Sequence, residues 1–147
     1  MIVEVHSKNQ IAEILTMFSG CLYTLSTGQV SVEEIADKFY KYARVIVYRK
    51  DDEFAGFAGF YCNDKKDKTA YISLIAVDSN HRNSGIGKDL VNEVVKTAKE
   101  SGMNIIKLEV RKNNQNAVLF YKSLGFMMSD DTSEESYYMY LNIIESA

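Results

Sequence analysis

A chain of 147 residues with a formal net charge of −3 has room for one sizeable core and not for two ordinary domains, so a single domain over residues 1–147 is expected. The acidic balance, with a pI near 5.4, argues against nucleic acid as a partner, because a phosphate backbone calls for a basic face. No segment approaches the roughly 20 apolar residues of a membrane-spanning helix, and MIVEVHSKNQ lacks the layout of a secretory signal; no membrane partner and a cytoplasmic location are expected.

In chain order, residues 2–6 alternate weakly as a short strand, and residues 9–19 place Ile11, Ile14, Leu15 and Phe18 at helical spacing. Residues 20–28 have the composition of a loop, with Cys21 in an apolar setting. Ser31 followed by Glu34 is a capping-box pattern that opens a second helix through Ile35, Phe39 and Tyr42. Three strands follow at 43–49, 53–63 and 69–77, separated by the charged turns KDD and DKKDK, which describes an antiparallel meander. Cys62 lies in the second of them. Neither cysteine has metal-ligand spacing, so both are expected to be buried thiols and no metal is expected. Leu90, Val91, Val94, Val95 and Ala98 form one helical face that Gly102 stops, and residues 104–110 read as a strand. A strand, a crossover helix and a strand imply local parallel pairing. A fourth helix spans 115–124 with Asn114 as its cap and Gly125 as its stop. Strands at 126–128 and 137–143 end the chain, joined by the acidic loop SDDTSEES. The fold class is therefore α/β of the α+β type: a mixed, mostly antiparallel sheet of six to seven strands flanked by about four helices.

The stretch VDSNHRNSGIGKDLV, residues 77–91, leaves a strand and enters a helix through a polar turn. Backbone N–H groups that converge at a helix start form an anion site, because the first turn leaves its donors unpaired and the dipole favours negative charge. Gly85 and Gly87 permit close approach of a pyrophosphate, and Arg82 and Lys88 add charge. A plain strand-to-helix turn with solvated side chains fits the same stretch. The P-loop pattern fails here, since one residue separates the glycines and Asp89 follows Lys88. The dinucleotide fingerprint is met by the two glycines and by Glu109 about 20 residues on, yet Leu90 stands where its third glycine belongs and seven residues separate Val77 from Gly85.

IAVDSNHRNSGIGKDLV resembles motif A of the GNAT superfamily of N-acetyltransferases, with Arg82, Gly85 and Gly87 in its acetyl-CoA signature. LEVRKNNQNAVLFYKSLGF resembles the family's motif B, with Asn114, Ala117, Tyr121, Gly125 and Phe126 in matching positions. Together they cover residues 72–126; residues 1–68 match no motif. The resemblance implies a GNAT-like acyl-CoA fold in which a splayed strand, here Ile75, Ala76 and Val77, pairs with the pantetheine arm of acetyl-CoA. It implies that the amides of Asn83, Ser84, Gly85, Ile86, Gly87 and Lys88, with Arg82, bind the pyrophosphate and that Asn114 reaches the pantetheine or phosphate region. Asn83 and Ser84 depart from relatives that often carry Gly, Arg or Lys there, which affects side-chain charge and not the backbone cradle.

Acetyl transfer needs an unprotonated amine, a held oxyanion and a proton for the leaving thiolate. The resemblance makes Tyr121 the proton donor, against a core reading for a tyrosine on an apolar helix face. By likeness to acetyltransferases of ribosomal-protein N-termini, whose LEVR stretch it shares, Glu109 is the base; a surface glutamate with a water chain as base is the alternative. A backbone amide within 75–77 would hold the oxyanion. His81 is expected to be solvated or to stack on the adenine side, and His6 has no evident partner. The resulting expectation is an acetyl-CoA-dependent N-acetyltransferase acting without metal through a direct ternary complex on a primary amine. Alternatives are a non-catalytic acyl-CoA sensor, a protein N-terminal or lysine acetyltransferase, and a nucleotide-sugar or dinucleotide module. The acceptor is a small-molecule or peptide amine, and a homodimer is left open. Tyr23, Thr24, Ser26, Thr27 and Gln29 suggest a small polar amine such as an amino sugar over a protein tail, with the acidic loop as a second specificity segment.

Overall fold

The computed structural model describes residues 1–22, 25 and 27–144. The expectations that rest on Tyr23, Thr24 and Ser26 lie outside the described residues. Seven strands form one sheet: β1 (Ile2–Val5), β2 (Arg44–Lys50), β3 (Glu53–Asp64), β4 (Thr69–Val77), β5 (Ile105–Arg111), β6 (Met127–Thr132) and β7 (Ser136–Asn142), in spatial order β1-β2-β3-β4-β5-β7-β6. Only β4 and β5 pair in parallel. They are joined through the helix Ile86–Glu100, the crossover that parallel pairing requires. This is the expected mixed sheet, with four α-helices among the described residues: α1 (Lys8–Met17), α2 (Val32–Tyr42), α3 (Ile86–Glu100) and α4 (Gln115–Ser123).

Local chemistry sets the helix ends. Ser7, Ser31 and Asn114 accept from the N–H groups of Gln10, Glu34 and Ala117, each satisfying a donor that the first turn leaves open. In the expected capping box the Glu34 carboxylate accepts from the Ser31 hydroxyl. Gly102 and Gly125 end α3 and α4 at φ 81° and 98°, where a Cβ is disfavoured.

Two cores lie on opposite faces of the sheet. α1 and α2 bury Ile11, Ile14, Leu15, Phe18 and Phe39 against Val45, Val47 and Phe57. α3 and α4 bury Leu90, Val94, Val118 and Tyr121 against Phe60, Ile72, Ile106, Leu108 and Met139. β3 carries one glycine toward each core. A Cβ on Gly56 would lie 3.2 Å from both Ile86 and Leu90 of α3, and a Cβ on Gly59 would overlap the Phe39 ring of α2, 2.7 Å from its Cζ. Each glycine thus sets how closely a helix approaches the central strand.

Three expectations are corrected. Cys21 is exposed after a short 3₁₀ turn at Ser19–Cys21, and Cys62 is half-buried on β3; neither is a fully buried thiol. The acidic segment is mostly strand: β6 runs to Thr132, which pairs with Tyr137 across an irregular register, leaving only residues 133–135 as the turn. His6 has a partner in Glu4, 3.6 Å away.

Gly59→Ala is expected to lower stability by about 1–3 kcal/mol in urea titration, the usual cost of overpacking. Adding Phe39→Leu should recover part of the loss, whereas the same second change in the wild-type background should destabilise.

Candidate active site

Pairing of β4 with β5 stops at Ile72 and Leu108. Beyond that point Leu74–Val77 stay paired with β3 and Glu109–Arg111 stay paired with β7, so the two strands diverge and leave a cleft. The cause is a bulge. Gly59 opposes Leu74 and Phe60 opposes Ile72, which leaves Ser73 without a counterpart. The extra residue also inverts the alternation: Ala70 and Ile72 face the α3 core, whereas Leu74 and Ala76 lie against the α1 and α2 core and Ile75 and Val77 against that of α3. The Asp78 N–H donates to Ala55 C=O at 2.8 Å. Alternation along β4 then turns the backbone of Ala76 toward β3 and that of Ile75 and Val77 toward the cleft. Of the three strand residues singled out in the sequence, two present amides and carbonyls there.

At the end of β4 the chain passes through a 3₁₀ turn, Ser79–His81, into the glycine-bearing segment. His81 is held rather than solvated, its Nδ1 3.0 Å from an Asp78 oxygen and its side chain 16% exposed. The Ser84 hydroxyl donates to the His81 carbonyl, and Asn83 and Gly85 both adopt left-handed conformations at φ 62° and 85°. Among the four described α-helices, α3 alone has no side-chain cap. Its N-cap is Gly85, whose carbonyl accepts from the Asp89 N–H. The amides of Ile86, Gly87 and Lys88 precede that first bond and point out of the helix start. Arg82, Asn83, Ser84, Gly85 and Lys88 are exposed around them; the Ile86 side chain is core, 2% exposed, so only its backbone is available. Gly87 is tight for a further reason: a Cβ there would lie 3.1 Å from the Phe120 ring of α4.

Tyr121 and Glu109 meet at the cleft from different elements. Tyr121 projects from α4 into a cavity of about 530 Å³ lined also by Ser73–Ile75, Asn114 and Ala117. Its ring stacks edge-on with Phe120 and Phe126, it is 6% exposed, and burial pushes its phenol well above the ordinary tyrosine range. The Asn114 side chain also lines the cavity, with its oxygen committed to capping α4. Glu109 lines this cavity and a second one of about 590 Å³ under α2; Ser73, Leu74 and Arg111 are likewise shared, so the two spaces meet where the strands part.

Tyr61 and Tyr71, which line the second space, are residues that the sequence did not single out. Register places Tyr61, Tyr71, Lys107, Glu109 and Tyr138 on one face of the sheet, since Tyr61 opposes Tyr71, Tyr71 opposes Lys107 and Glu109 opposes Tyr138. Burial raises the Tyr71 phenol, and the charge of Glu109 and the neighbouring Tyr138 and Tyr61 raise it further. Burial likewise raises Tyr61, over whose ring the Lys38 ammonium sits at 5.6 Å. Only strand pairing brings these groups together; period-2 spacing gave each a face but not a neighbour.

The family description "Acetyltransferase (GNAT) family" matches residues 11–126. The chain belongs to the GNAT family. An uncharacterised N-acetyltransferase of Methanocaldococcus jannaschii is 40% identical over 75 residues, 48% of this chain and 33% of that protein. Human N-alpha-acetyltransferase 30 is 35% identical over 63 residues, 43% of this chain and 17% of its own length. The matched stretch is thus a third or less of these relatives. Among solved structures, the ribosomal-protein-S18-alanine N-acetyltransferase of Escherichia coli superposes with a TM-score of 0.79 at 19% identity, over 100% of this chain and 97% of that one. An acetyltransferase of Bacillus anthracis in complex with acetyl coenzyme A superposes with a TM-score of 0.62 at 30% identity, over 69% of this chain and 62% of that one. The seven-stranded sheet and its helices are the GNAT fold. Among the described residues no helix is long and apolar enough to cross a membrane, and no group of three or more His, Cys, Asp or Glu is placed to hold a metal ion.

Left-handed backbone at Gly85 costs any residue with a Cβ about 1–2 kcal/mol. Gly85→Ala should lose that much stability in urea titration, although the space around the Cβ is open. Gly85→Asn should lose less, because Asn tolerates this conformation.

Proposed function

We propose that this GNAT protein transfers the acetyl group of acetyl-CoA to a primary amine by direct attack in a ternary complex. The observation that carries the reading is the parting of β4 from β5 at the Ser73 bulge, with Tyr121 on one side and Glu109 where the two cavities meet. The residues fit acetyl-CoA. Ile75 and Val77 offer an unpaired strand edge to the amide groups of a pantetheine arm, and the uncapped start of α3 from Asn83 to Lys88, with Arg82, suits a pyrophosphate. Asn114 stands at the arm's far wall, and Ala76 contributes by holding β4 to β3. The complex of the Bacillus anthracis relative with acetyl coenzyme A supports the same donor.

Each chemical task has a group in place. Glu109 reaches the acceptor space and serves as base for the incoming ammonium, with Tyr71 on the same face beside it. The Ile75 amide points into the cleft and stabilises the developing oxyanion. Tyr121, kept protonated by burial, delivers its proton to the departing thiolate. A non-catalytic acyl-CoA sensor would need the α3 start but neither Tyr121 nor Glu109.

The acceptor space combines Glu34 and Glu109 with Lys38 and Arg111, so its charges balance. Balance disfavours polycationic acceptors such as polyamines or lysine-rich tails and suits a small polar amine. A second reading, a peptide α-amino group, is supported by the relative named N-alpha-acetyltransferase 30.

Tyr121→Phe keeps the ring packing and removes the proton, so kcat should fall by about 10²-fold or more with little change in acetyl-CoA affinity by calorimetry. Wild-type turnover in that variant would return Tyr121 to the core. Glu109→Gln should lower kcat and abolish the acidic limb of the rate profile; an unaltered profile would hand the base role to water. A panel of small amines and peptides assayed for CoA release decides the acceptor, and turnover with peptides alone would overturn the small-amine preference.

A further inference from the structure

The cofactor-side cavity holds one reactive group for which the transfer reaction has no use. Cys21 is an exposed free thiol, and it lines the same cavity of about 530 Å³ as Ile75 and Tyr121. Independently, the Tyr121 side chain is 6% exposed and makes no hydrogen bond among the described residues, although it borders this cavity. The ring is packed away while its unpartnered hydroxyl stays open to the cavity, where a ligand atom would complete its hydrogen bonding. If the thioester sulfur sits before Tyr121, as the proposed function requires, it occupies the same open cavity that Cys21 lines. Cys62, the other thiol, is half-buried on β3 and lines neither this cavity nor the acceptor space.

We propose that Cys21 is a modification site that forms a mixed disulfide with coenzyme A, locking the cofactor arm in the β4/β5 cleft and switching transfer off. The co-reactant is a CoA disulfide. One CoA half seats in the cleft, and the Cys21 thiolate attacks its sulfur. The S–S bond of the reagent breaks as the new S–S bond forms. The second CoA leaves with the electron pair and takes up the proton that Cys21 gave up. The exchange is neutral in electrons, and a small dithiol reverses it by the same route. Seating the CoA half makes the attack intramolecular, so the site selects this disulfide over others of equal reactivity. The inference rests on the reading of the cleft as the acetyl-CoA site.

The test treats the purified full chain with CoA disulfide and follows intact mass, peptide mass and turnover together. One CoA per chain on Cys21 is expected, with turnover lost in step and restored by dithiothreitol. Saturating acetyl-CoA should slow the reaction by about tenfold or more, and oxidised glutathione at equal concentration should react slower by about the same factor, the scale of a tethered advantage. Cys21→Ser should form no adduct, and Cys62→Ser should react like wild type. An adduct on Cys62, or equal rates with oxidised glutathione, overturns the proposal. If calorimetry shows acetyl-CoA binding and yet it gives no protection, this inference fails alone; if acetyl-CoA does not bind, the reading of the cleft fails with it.

Discussion

One extra residue in one strand governs this molecule. Ser73 has no counterpart on β3, and at that residue β4 changes the faces of its side chains and departs from β5. A regular strand would keep pairing through Val77 and close the sheet, leaving no unpaired edge and no path between its faces. The bulge leaves Ile75 and Val77, both partly exposed, with backbone groups that β5 does not pair, so a ligand with amide groups can complete that ladder. The cost of an interrupted ladder is thereby tied to the place where binding is proposed.

The rest of the fold holds that opening in shape. Gly56 and Gly59 let α3 and α2 press on the central strand from opposite sides, so β3, to which β4 remains bonded beyond the bulge, is fixed on both faces. β5 is fixed in turn by β7 along its whole length, from Ile105 opposite Asn142 to Arg111 opposite Ser136. The two lips of the cleft therefore belong to two separately anchored halves of one sheet. α4 starts beside the β5 lip, so its Asn114 cap and Tyr121 border, with Ser73–Ile75 and Glu109, a space no single element encloses.

Charge is arranged with similar economy. In the cavity under α2 the basic Lys38 and Arg111 are countered by Glu34 and Glu109, and Arg111 is braced by Glu135 of the β6–β7 turn at 3.3 Å. Tyr61, Tyr71 and Tyr138 share one face of the sheet, and burial raises the phenols of Tyr61 and Tyr71. The α3 start offers backbone donors instead, which need no counter-charge from the protein.

Much of this was legible in the chain. Period-3.6 runs, Ser31, Asn114, Gly102 and Gly125 fixed four helices to within a few residues, because caps and stops act through bonds only a few positions away. The strand 69–77 was read to its last residue, since turns bound it on both sides. Arg82, Gly85, Gly87 and Tyr121 stand out in the sequence because motif spacing is itself local. What tertiary structure alone decided is the Ser73 bulge, the exposure of Cys21, the strand character of the acidic segment and the row of tyrosines beside Glu109. Each depends on which strand lies next to which and in what register. Residues such as Tyr61, Tyr71, Glu109 and Tyr138 are far apart in sequence, and their proximity follows from sheet order, a property that local spacing does not encode.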